Sequence, residues 1–466
     1  MRFLMYKKPF ALEALWIIVP VLIGIVFTLY VFYPGYMSHD SVDQLTQGRE
    51  NLYNAWHPPI MSWLWGRVDQ VIPGPFGMLI FHNLLFWVGL GLFIHCIAPK
   101  WPGYLKSILI LLIGFFPPVL MLLSTIWKDV GMAAAFLFGI ALMVHAQEHK
   151  SSFSLSAGLI SIWYGLSIRI NGIIAALPLI FFAATIFYDL GFSIKWKRPN
   201  KTLEILLSGV ALTGVMLFAT KVVEKVLVKG PPTYPIQQVL VHDLVGISLQ
   251  VREVLLPEYL LLPLPPTQRE LRRIYTPGTI THLFFGDDGR IRLKVTNDPS
   301  LILNLLSTWE KVVLDHPKAY WFHRSRIFYR QYWIVGKRVC HPYQAGTTPN
   351  ALGIQSSQTT LTKNLFAWAE PITTTFLYRG WIYLLITFLL ALYAYGYALF
   401  HRMKFPLPAV ILALCTSGLL FGLAYFFISP ACDFRFHYWV VISAILSLIA
   451  TVYFKTHPIK DEYGDP

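Results

Sequence analysis

The segment between the first two long apolar runs of this chain holds side chains that are capable of proton transfer. It covers residues 33–75, between the apolar runs 12–32 and 76–98, and its polar residues include His39, Asp40, Asp43, Gln44 and His57. A carboxylate at the edge of a bilayer loses part of its hydration, which raises its pKa and makes it a stronger base. Asp40, soon after the first apolar run, is therefore a candidate general base.

Other charged and amide side chains lie at the same ends of later apolar runs, and Arg324 lies in the long connection 223–379. They are Lys128, Asp129, Arg169, Asn171, Arg324, Asp433 and Arg435. Arg169 lies between two short apolar runs, where an unpaired charge is costly, so a functional role is favoured over a structural one. Because a guanidinium offers paired N–H groups to a phosphate, the arginines are candidate ligands of an anionic group.

The acidic candidates of the first segment also have structural interpretations. Asp40 could cap a helix that begins at Ser41, although Ser38 is another cap candidate. Asp43 lies one helical turn further on, and it could be exposed or paired with Arg49. Capping and catalysis do not exclude each other, so both interpretations of Asp40 stay open.

Three further candidates have alternatives of the same kind. His57 precedes two prolines and could serve only to start the following helix, because proline is tolerated in a first helical turn. Asp129 could form a surface ion pair with its neighbour Lys128. The arginines near Arg324 could lie over anionic lipid head groups.

Composition assigns the chain to the polytopic membrane proteins. Hydrophobic residues make up 55% of the sequence and charged residues only 13%, whereas a soluble domain has about 25% charged residues. The net charge of +14 does not indicate nucleic-acid binding, because the basic residues lie beside the ends of apolar runs and not in one patch. We also interpret residues 12–32 as a retained span, because no small-residue cleavage site follows them.

About ten apolar runs are long enough to be spans, and 154–168 is the shortest of them. They are 12–32, 76–98, 106–123, 130–147, 154–168, 172–190, 202–222, 380–400, 407–427 and 438–454. Lysine and arginine occupy every other connection, which predicts that both termini are cytoplasmic and that residues 33–75 and 223–379 lie outside.

The sequence also predicts the domain organisation. Residues 1–222 form a transmembrane module whose first outer loop contains two short interfacial helices, at Asp40–Asn51 and after His57. Residues 223–379 form an outer domain of mixed α/β structure, with a hairpin around Gly286–Gly289. Residues 380–466 supply the last three spans and a cytoplasmic tail. A disulfide between Cys340 and Cys432 is conceivable in an oxidising compartment.

Four short motifs together resemble the glycosyltransferase-C (GT-C) superfamily, and in particular its bacterial inner-membrane members. They are Ser38-His-Asp40-Ser41-Val-Asp-Gln44, His57-Pro58-Pro59, Trp127-Lys128-Asp129 and Asp433-Phe-Arg435-Phe436. Each motif alone is a weak indication of the family. The resemblance rests on the order of the four motifs and on their predicted location on the same, outer side of the membrane. The last motif departs from the pattern, because Phe436 stands where a tyrosine is expected. Over residues 223–379 the resemblance is thin.

The resemblance implies transfer of a sugar from a polyprenyl-phosphate donor to an envelope acceptor, a lipid-linked glycan, lipopolysaccharide or protein, on the outer face of the bacterial inner membrane. Asp40, Asp129 and His57 would be catalytic. The donor and acceptor would be bound by His39, Gln44, Lys128, Arg169, Asn171, Arg324, Asp433 and Arg435. The leaving phosphate is already anionic, so the reaction needs cations and not a general acid. Whether Asp40 and Asp129 hold a divalent metal, Mg²⁺ or Mn²⁺, is left open by the residues.

Three other classes of protein compete with this interpretation. A polysaccharide polymerase or ligase also has many spans and one large outer loop, but its centre is usually built from arginine and histidine. A transporter would place charges within the spans and show paired broken helices. A non-catalytic assembly factor explains the hydropathy but not the cluster of His, Asp and Arg on one side.

Overall fold

The computed structural model describes residues 10–192, 200–230, 232–260, 266–284, 292–336, 340–356, 358–400 and 406–457. Within these ranges the chain is helical, with isolated β-bridges and no strand. The helices of the first half are α1 Phe10–Val31, α2 His39–Glu50, α3 Pro59–Asp69, α4 Phe76–Ile97, α5 Gly103–Gly114, α6 Pro117–Leu120, α7 Lys128–His149, α8 Ser152–Ser167, α9 Gly172–Asp189 and α10 Lys201–Leu227.

The second half begins with shorter helices and ends with three long ones. They are α11 Ile236–Val251, α12 Gln268–Ile274, α13 Thr281–Phe284, α14 Pro299–Asp315, α15 Pro317–Gln331, α16 Thr360–Ile372, α17 Gly380–Phe400, α18 Pro406–Ile428 and α19 Tyr438–Thr456. Four 3₁₀ helices complete the described part, at Leu122–Ser124, Glu258–Leu260, Phe376–Tyr378 and Phe434–His437.

Eight helices in the described ranges are long and apolar enough to cross a membrane, and a bent pair adds a ninth. The bent pair is Gly103–Gly114 with Pro117–Ser124, which meet at 60°. Pro117 and Pro118 explain the bend, because proline cannot donate a backbone hydrogen bond inside a helix. The tenth predicted span, 154–168, is α8, whose 16 residues are fewer than the roughly 20 of a full crossing.

Helix α8 nevertheless returns the chain to the end of the bundle from which α7 starts. The Ser161 hydroxyl donates to the Ala135 carbonyl at 2.7 Å, and Ser154 Oγ lies 3.0 Å from Nδ1 of His145. These contacts make α7 and α8 antiparallel neighbours along most of their length. Ten passes of the chain through the bundle therefore agree with the sequence, although one of them is short.

The segments that the charge pattern assigns to the outer side all meet at one end of the bundle. Isolated bridges join Tyr36 to Thr125 and Tyr53 to Val228. At the opposite end the Tyr453 hydroxyl accepts from the backbone N–H of Lys100 at 3.4 Å. We call the first end the site end, because it holds the candidate residues.

The first outer loop contains two helices, as predicted, and they pack closely on each other. A Cβ atom added to Gly48 of α2 would lie 2.6 Å from the Ser62 carbonyl oxygen of α3, so a residue without a side chain is needed there. Arg49 donates to both carboxylate oxygens of Asp69 at 2.9 Å. Arg49 thus pairs with α3 and not with Asp43.

The mixed α/β structure predicted for residues 223–379 is wrong for the described part of this segment, which is helical. Its first portion has a hydrophobic core of its own, between Leu240 and Tyr320. The segment before the predicted hairpin is helix α13, so no strand leads into that turn. The turn residues Gly286–Gly289 themselves lie outside the described residues. Later side chains, such as Phe366, belong to the core of the transmembrane helices.

The arrangement of the two ends predicts the outcome of cysteine labelling in intact cells. Ser307 on α14 and His149 at the end of α7 are both exposed, while the native free cysteines Cys96 and Cys415 are buried. A membrane-impermeant maleimide should label Ser307→Cys from outside, because the lysine and arginine pattern predicts that the other end is cytoplasmic. His149→Cys should react only after permeabilisation. The reverse pattern would place the candidate site in the cytoplasm.

Candidate functional site

Five separate parts of the chain bring ionisable side chains together at the site end. They are the start of α2, the segment that leads into α3, the start of α7, the connection between α8 and α9, and the 3₁₀ helix before α19 with the residue that caps it. The side chains that meet there are those of Asp40, His57, Lys128, Asp129, Arg169, Asp433 and Arg435. All seven were predicted from the sequence.

Asp40 lies in the first turn of α2 and is not the cap of that helix. The N-cap is Ser38, whose backbone N–H donates to the Ser41 hydroxyl at 3.3 Å. The capping interpretation of Asp40 is therefore wrong. Its carboxylate is 33% exposed, and Oδ2 lies 3.0 Å from Nη1 of Arg435. Burial raises the pKa of Asp40, but nearby positive charge, above all that of Arg435, outweighs this and holds the pKa well below its usual range.

Side-chain hydrogen bonds hold the start of α2 against the start of α7. The Ser41 hydroxyl donates to the Ile126 carbonyl at 2.7 Å, and Nε1 of Trp127 donates to the Ser38 hydroxyl at 2.8 Å. Asp40 therefore lies beside Lys128 and Asp129, although almost ninety residues separate them in the sequence. The Trp127 ring also faces the Arg435 guanidinium, 4.7 Å from the ring centre.

Asp129 and Arg169 form a buried ion pair below Asp40. Their side chains are 2% and 9% exposed. Arg169 also donates from Nε to the Asn171 amide oxygen at 2.9 Å and from Nη2 to the Tyr425 hydroxyl at 2.6 Å. The surface ion pair between Lys128 and Asp129 is not formed; the partner of Asp129 comes from the next helical hairpin.

Arg435 is shared among three carboxylates. Besides Asp40, its Nε atom lies 2.9 Å from Asp433 and 3.9 Å from Asp129. Together with Lys128 and Arg169, three cations thus face three carboxylates. An isolated buried charge is strongly unfavourable, so this mutual neutralisation allows the cluster to exist at the membrane surface.

His57 is placed between Lys128 and the acidic residues of α2. Its Nδ1 atom lies 2.6 Å from Nζ of Lys128, and its Nε2 atom lies 3.9 Å from Asp40 and 4.0 Å from Asp43. A protonated lysine has donors only, so Nδ1 must accept and the ring proton is on Nε2. Burial, followed by the charge of Lys128, lowers the pKa of His57 to about 3. His57 is thus a neutral hydrogen-bond donor that faces Asp40 and Asp43.

The remaining candidates are not all in this cluster. His39 is exposed beside Asp40, and Gln44 is buried with no hydrogen-bond partner for its Nε2 atom in the described part of the chain. Arg324 is fully buried in the outer segment, where Nη2 donates to Asp243 at 2.7 Å and Nη1 to the Ser429 carbonyl at 3.4 Å. Its charge is balanced by Asp243, away from Asp40.

Tyr425 is a site residue that the sequence did not reveal, and it packs against Phe436 of the fourth motif. The two rings stack with centres 5.1 Å apart, and the Arg169 guanidinium lies 5.0 Å from the Phe436 ring. The hydroxyl expected at position 436 is thus absent, but a hydroxyl reaches Arg169 from Tyr425. No sequence signal marks Tyr425, which lies in the uniformly apolar run of α18.

The disulfide between Cys340 and Cys432 is formed, with Cα atoms 4.7 Å apart. It ties the outer segment to the loop that carries Asp433 and Arg435. Two further backbone bonds join the outer segment to this loop: Gly278 accepts from Cys432 N–H at 2.7 Å, and Ile280 N–H donates to the Pro430 carbonyl at 3.0 Å. The outer segment therefore positions Arg435 over the transmembrane helices.

Comparison with known proteins identifies no family. No protein-family model and no curated protein matches the sequence. Among solved structures, the archaeal oligosaccharyltransferase AglB from Archaeoglobus fulgidus, in complex with an inhibitory peptide and a dolichol-phosphate, aligns with 97% of this chain at 11% identity and a TM-score of 0.39. The chain spans about half of that structure, 53% of its length.

The burial of Asp129 predicts a stability difference between two carboxylates of one site. Asp129→Asn leaves Arg169 buried without its counter-charge, which should lower the free energy of unfolding by about 3–5 kcal/mol. Asp40→Asn removes one partner of a pair that is one-third exposed, and should cost about 1 kcal/mol or less. Thermal unfolding of the purified variants in lipid measures both. Equal losses would mean that the Asp129–Arg169 pair does not stabilise the bundle.

Proposed function

We propose that the protein is a membrane glycosyltransferase of the GT-C type. It transfers a sugar from a polyprenyl-phosphate donor to an envelope acceptor on the outer face of the bacterial inner membrane, with both termini in the cytoplasm. One observation carries this proposal: a partly exposed carboxylate, Asp40, stands beside three cations at the membrane end of a helical bundle. That arrangement provides a base for the acceptor and positive charge for a lipid phosphate.

The reaction requires one bond to form and one to break. An acceptor hydroxyl attacks the anomeric carbon of the donor while Asp40 accepts the hydroxyl proton. The bond between the anomeric carbon and the phosphate oxygen breaks, and its electron pair leaves with the polyprenyl phosphate. Since the leaving phosphate gains negative charge, nearby cations stabilise it in the transition state.

Arg435, Arg169 and Lys128 are the cations available for that phosphate. Arg169 already donates to three partners, so it contributes mainly charge and a fixed orientation. Arg435 is 14% exposed and can turn part of its guanidinium towards a ligand. A phosphate that binds Arg435 weakens the pairing of Arg435 with Asp40. The pKa of Asp40 then rises, so donor binding would strengthen the base.

A divalent metal does not fit this donor set. Arg435 stands 3.0 Å from Asp40 and 3.9 Å from Asp129, the two carboxylates considered as ligands. Among the described residues no three His, Cys, Asp or Glu side chains converge as a metal site. We therefore derive no step through a metal ion.

Removal of the Asp40 charge should abolish transfer without unfolding the protein. Asp40→Asn keeps the size of the side chain and leaves the Ser38 cap in place, but it removes most of the basicity. The transfer rate should fall about a hundredfold or more. The assay is sugar transfer by the purified protein in lipid, with thermal stability measured in parallel.

Asp43→Asn is the matched control for this experiment. Asp43 lies one turn further along α2, is exposed, and accepts from Gln47 Nε2 at 2.6 Å. Its loss should be far milder. Near-normal transfer by Asp40→Asn would contradict the assignment of the base, and Asp129 would be the next candidate.

Replacement of arginine by lysine should weaken donor binding while the charge is kept. A lysine cannot reproduce the paired N–H contacts of a guanidinium to phosphate. Arg435→Lys removes these contacts, and Arg169→Lys removes the bonds to Asn171 and Tyr425 that orient its charge, so each should reduce the affinity for a C55 polyprenyl phosphate by about tenfold or more. Arg326→Lys is the control, because Arg326 is exposed on α15 away from the cluster. Unchanged affinity in both site variants would place the phosphate elsewhere.

A further inference from the structure

A loop without charged side chains links the two halves of the proposed active site. We call residues 340–356 the neutral loop. At its start, Cys340 is joined to Cys432, and the His341 carbonyl accepts from Phe434 N–H at 3.0 Å. This end therefore lies on the segment that carries Arg435.

The middle of the neutral loop lies on the segment that carries Asp40. Thr348 N–H donates to the Met37 carbonyl at 2.8 Å, and the Thr347 hydroxyl accepts from Met37 N–H at 3.3 Å. Met37 is three residues before Asp40. The loop thus runs from the phosphate-binding side of the site to the side of the base.

Side-chain hydrogen bonds hold the neutral loop in one conformation. The Asn350 side chain donates to the carbonyls of Thr348 and Ile354 at 2.8 Å, and its oxygen accepts from Leu352 and Ile354 N–H at 3.1 and 3.2 Å. The Ser356 hydroxyl accepts from Thr347 N–H at 2.9 Å. A loop that is ordered before binding loses little conformational entropy when a ligand binds.

The composition of the neutral loop indicates which kind of ligand could bind to it. From Cys340 to Thr362 the sequence contains no Asp, Glu, Lys or Arg. Its polar side chains are mainly amides and hydroxyls, among them Gln344, Thr347, Thr348, Asn350, Gln355 and Ser356, and its one histidine is His341. Amides and hydroxyls both donate and accept, which matches a sugar hydroxyl, whereas a charged acceptor would require a partner of opposite charge.

Two glutamines of the neutral loop retain hydrogen-bonding capacity. Gln344 Nε2 has only a long contact of 3.5 Å, with the Thr348 hydroxyl. Gln355 is exposed and forms no hydrogen bond with any residue that the structure describes. Both amides are available to a ligand.

We propose that the neutral loop is the acceptor subsite and that the acceptor is an uncharged sugar of a glycan, not a peptide or an acidic saccharide. This inference rests on the proposed function, because it takes Asp40 as the base that the acceptor hydroxyl must reach. Because Thr348 of the loop is bonded to Met37, three residues before Asp40, an acceptor held by the loop would present its hydroxyl to the Asp40 carboxylate.

The test measures binding by the full-length protein in lipid nanodiscs. The probes are a panel of uncharged hexose and deoxyhexose oligosaccharides, a polyuronate, an Asn-X-Thr peptide, a C55 polyprenyl phosphate and the same phosphate carrying glucose. An uncharged oligosaccharide should bind more tightly than the polyuronate and the peptide. Gln344→Ala and Gln355→Ala should each weaken its binding roughly three- to tenfold. Binding of both polyprenyl probes should not change.

Asn364→Ala is the matched control, because Asn364 is an exposed amide on α16 just beyond the loop, and it should have no effect. Preference for the peptide or polyuronate, absence of oligosaccharide binding, or insensitivity to both glutamine variants would overturn the acceptor subsite. Weaker binding of the glucose-carrying phosphate alone would show that the loop contacts the donor sugar, which also overturns it. Failure of the proposed function would appear separately, as polyprenyl-phosphate binding that does not depend on Arg435 or Arg169.

Discussion

Mutual neutralisation of charge at the site end is the constraint on which the other features of the structure depend. Asp40, Asp129 and Asp433 are tolerated near apolar helices only because Lys128, Arg169 and Arg435 lie within the same few ångströms. These residues come from four distant parts of the chain. Each helix must therefore end at a position where its charged side chain can contact one of opposite charge. The resulting ion pairs also hold the helices together.

The outer segment completes this cluster from above. Arg435 lies on a short 3₁₀ helix that the transmembrane helices alone would not orient. Several contacts fix the loop that precedes this 3₁₀ helix. They are the disulfide, the backbone hydrogen bonds that involve Gly278 and Pro430, and the hydrogen bond from Arg324 to the Ser429 carbonyl. Arg324 thus supports the position of Arg435 through the backbone, and the buried Asp243 compensates its charge.

Much of the fold was accessible from the sequence, because hydropathy and the lysine and arginine pattern report directly on spans. The two helices of the first loop were predicted for the same reason, since apolar spacing and the His57-Pro58-Pro59 start are local signals. The partner of Asp129 was not predicted. Lys128 is adjacent to Asp129 in the sequence, whereas Arg169 becomes its neighbour only when α8 folds back on α7. Tyr425 was missed because a hydroxyl inside an apolar helix has no sequence signature.

The short length of α8 has a consequence for where the bilayer surface lies. At a rise of about 1.5 Å per residue, its 16 residues extend about 24 Å, less than the roughly 30 Å of a typical hydrocarbon core. Hydrophobic mismatch of this kind thins the adjacent leaflet and draws head groups inward. Such thinning would bring lipid phosphates closer to the site end, where Asp40 and Arg435 are the more exposed members of the cluster. An amphiphile in that leaflet would then approach these two residues by lateral movement alone, without lifting its tail out of the membrane.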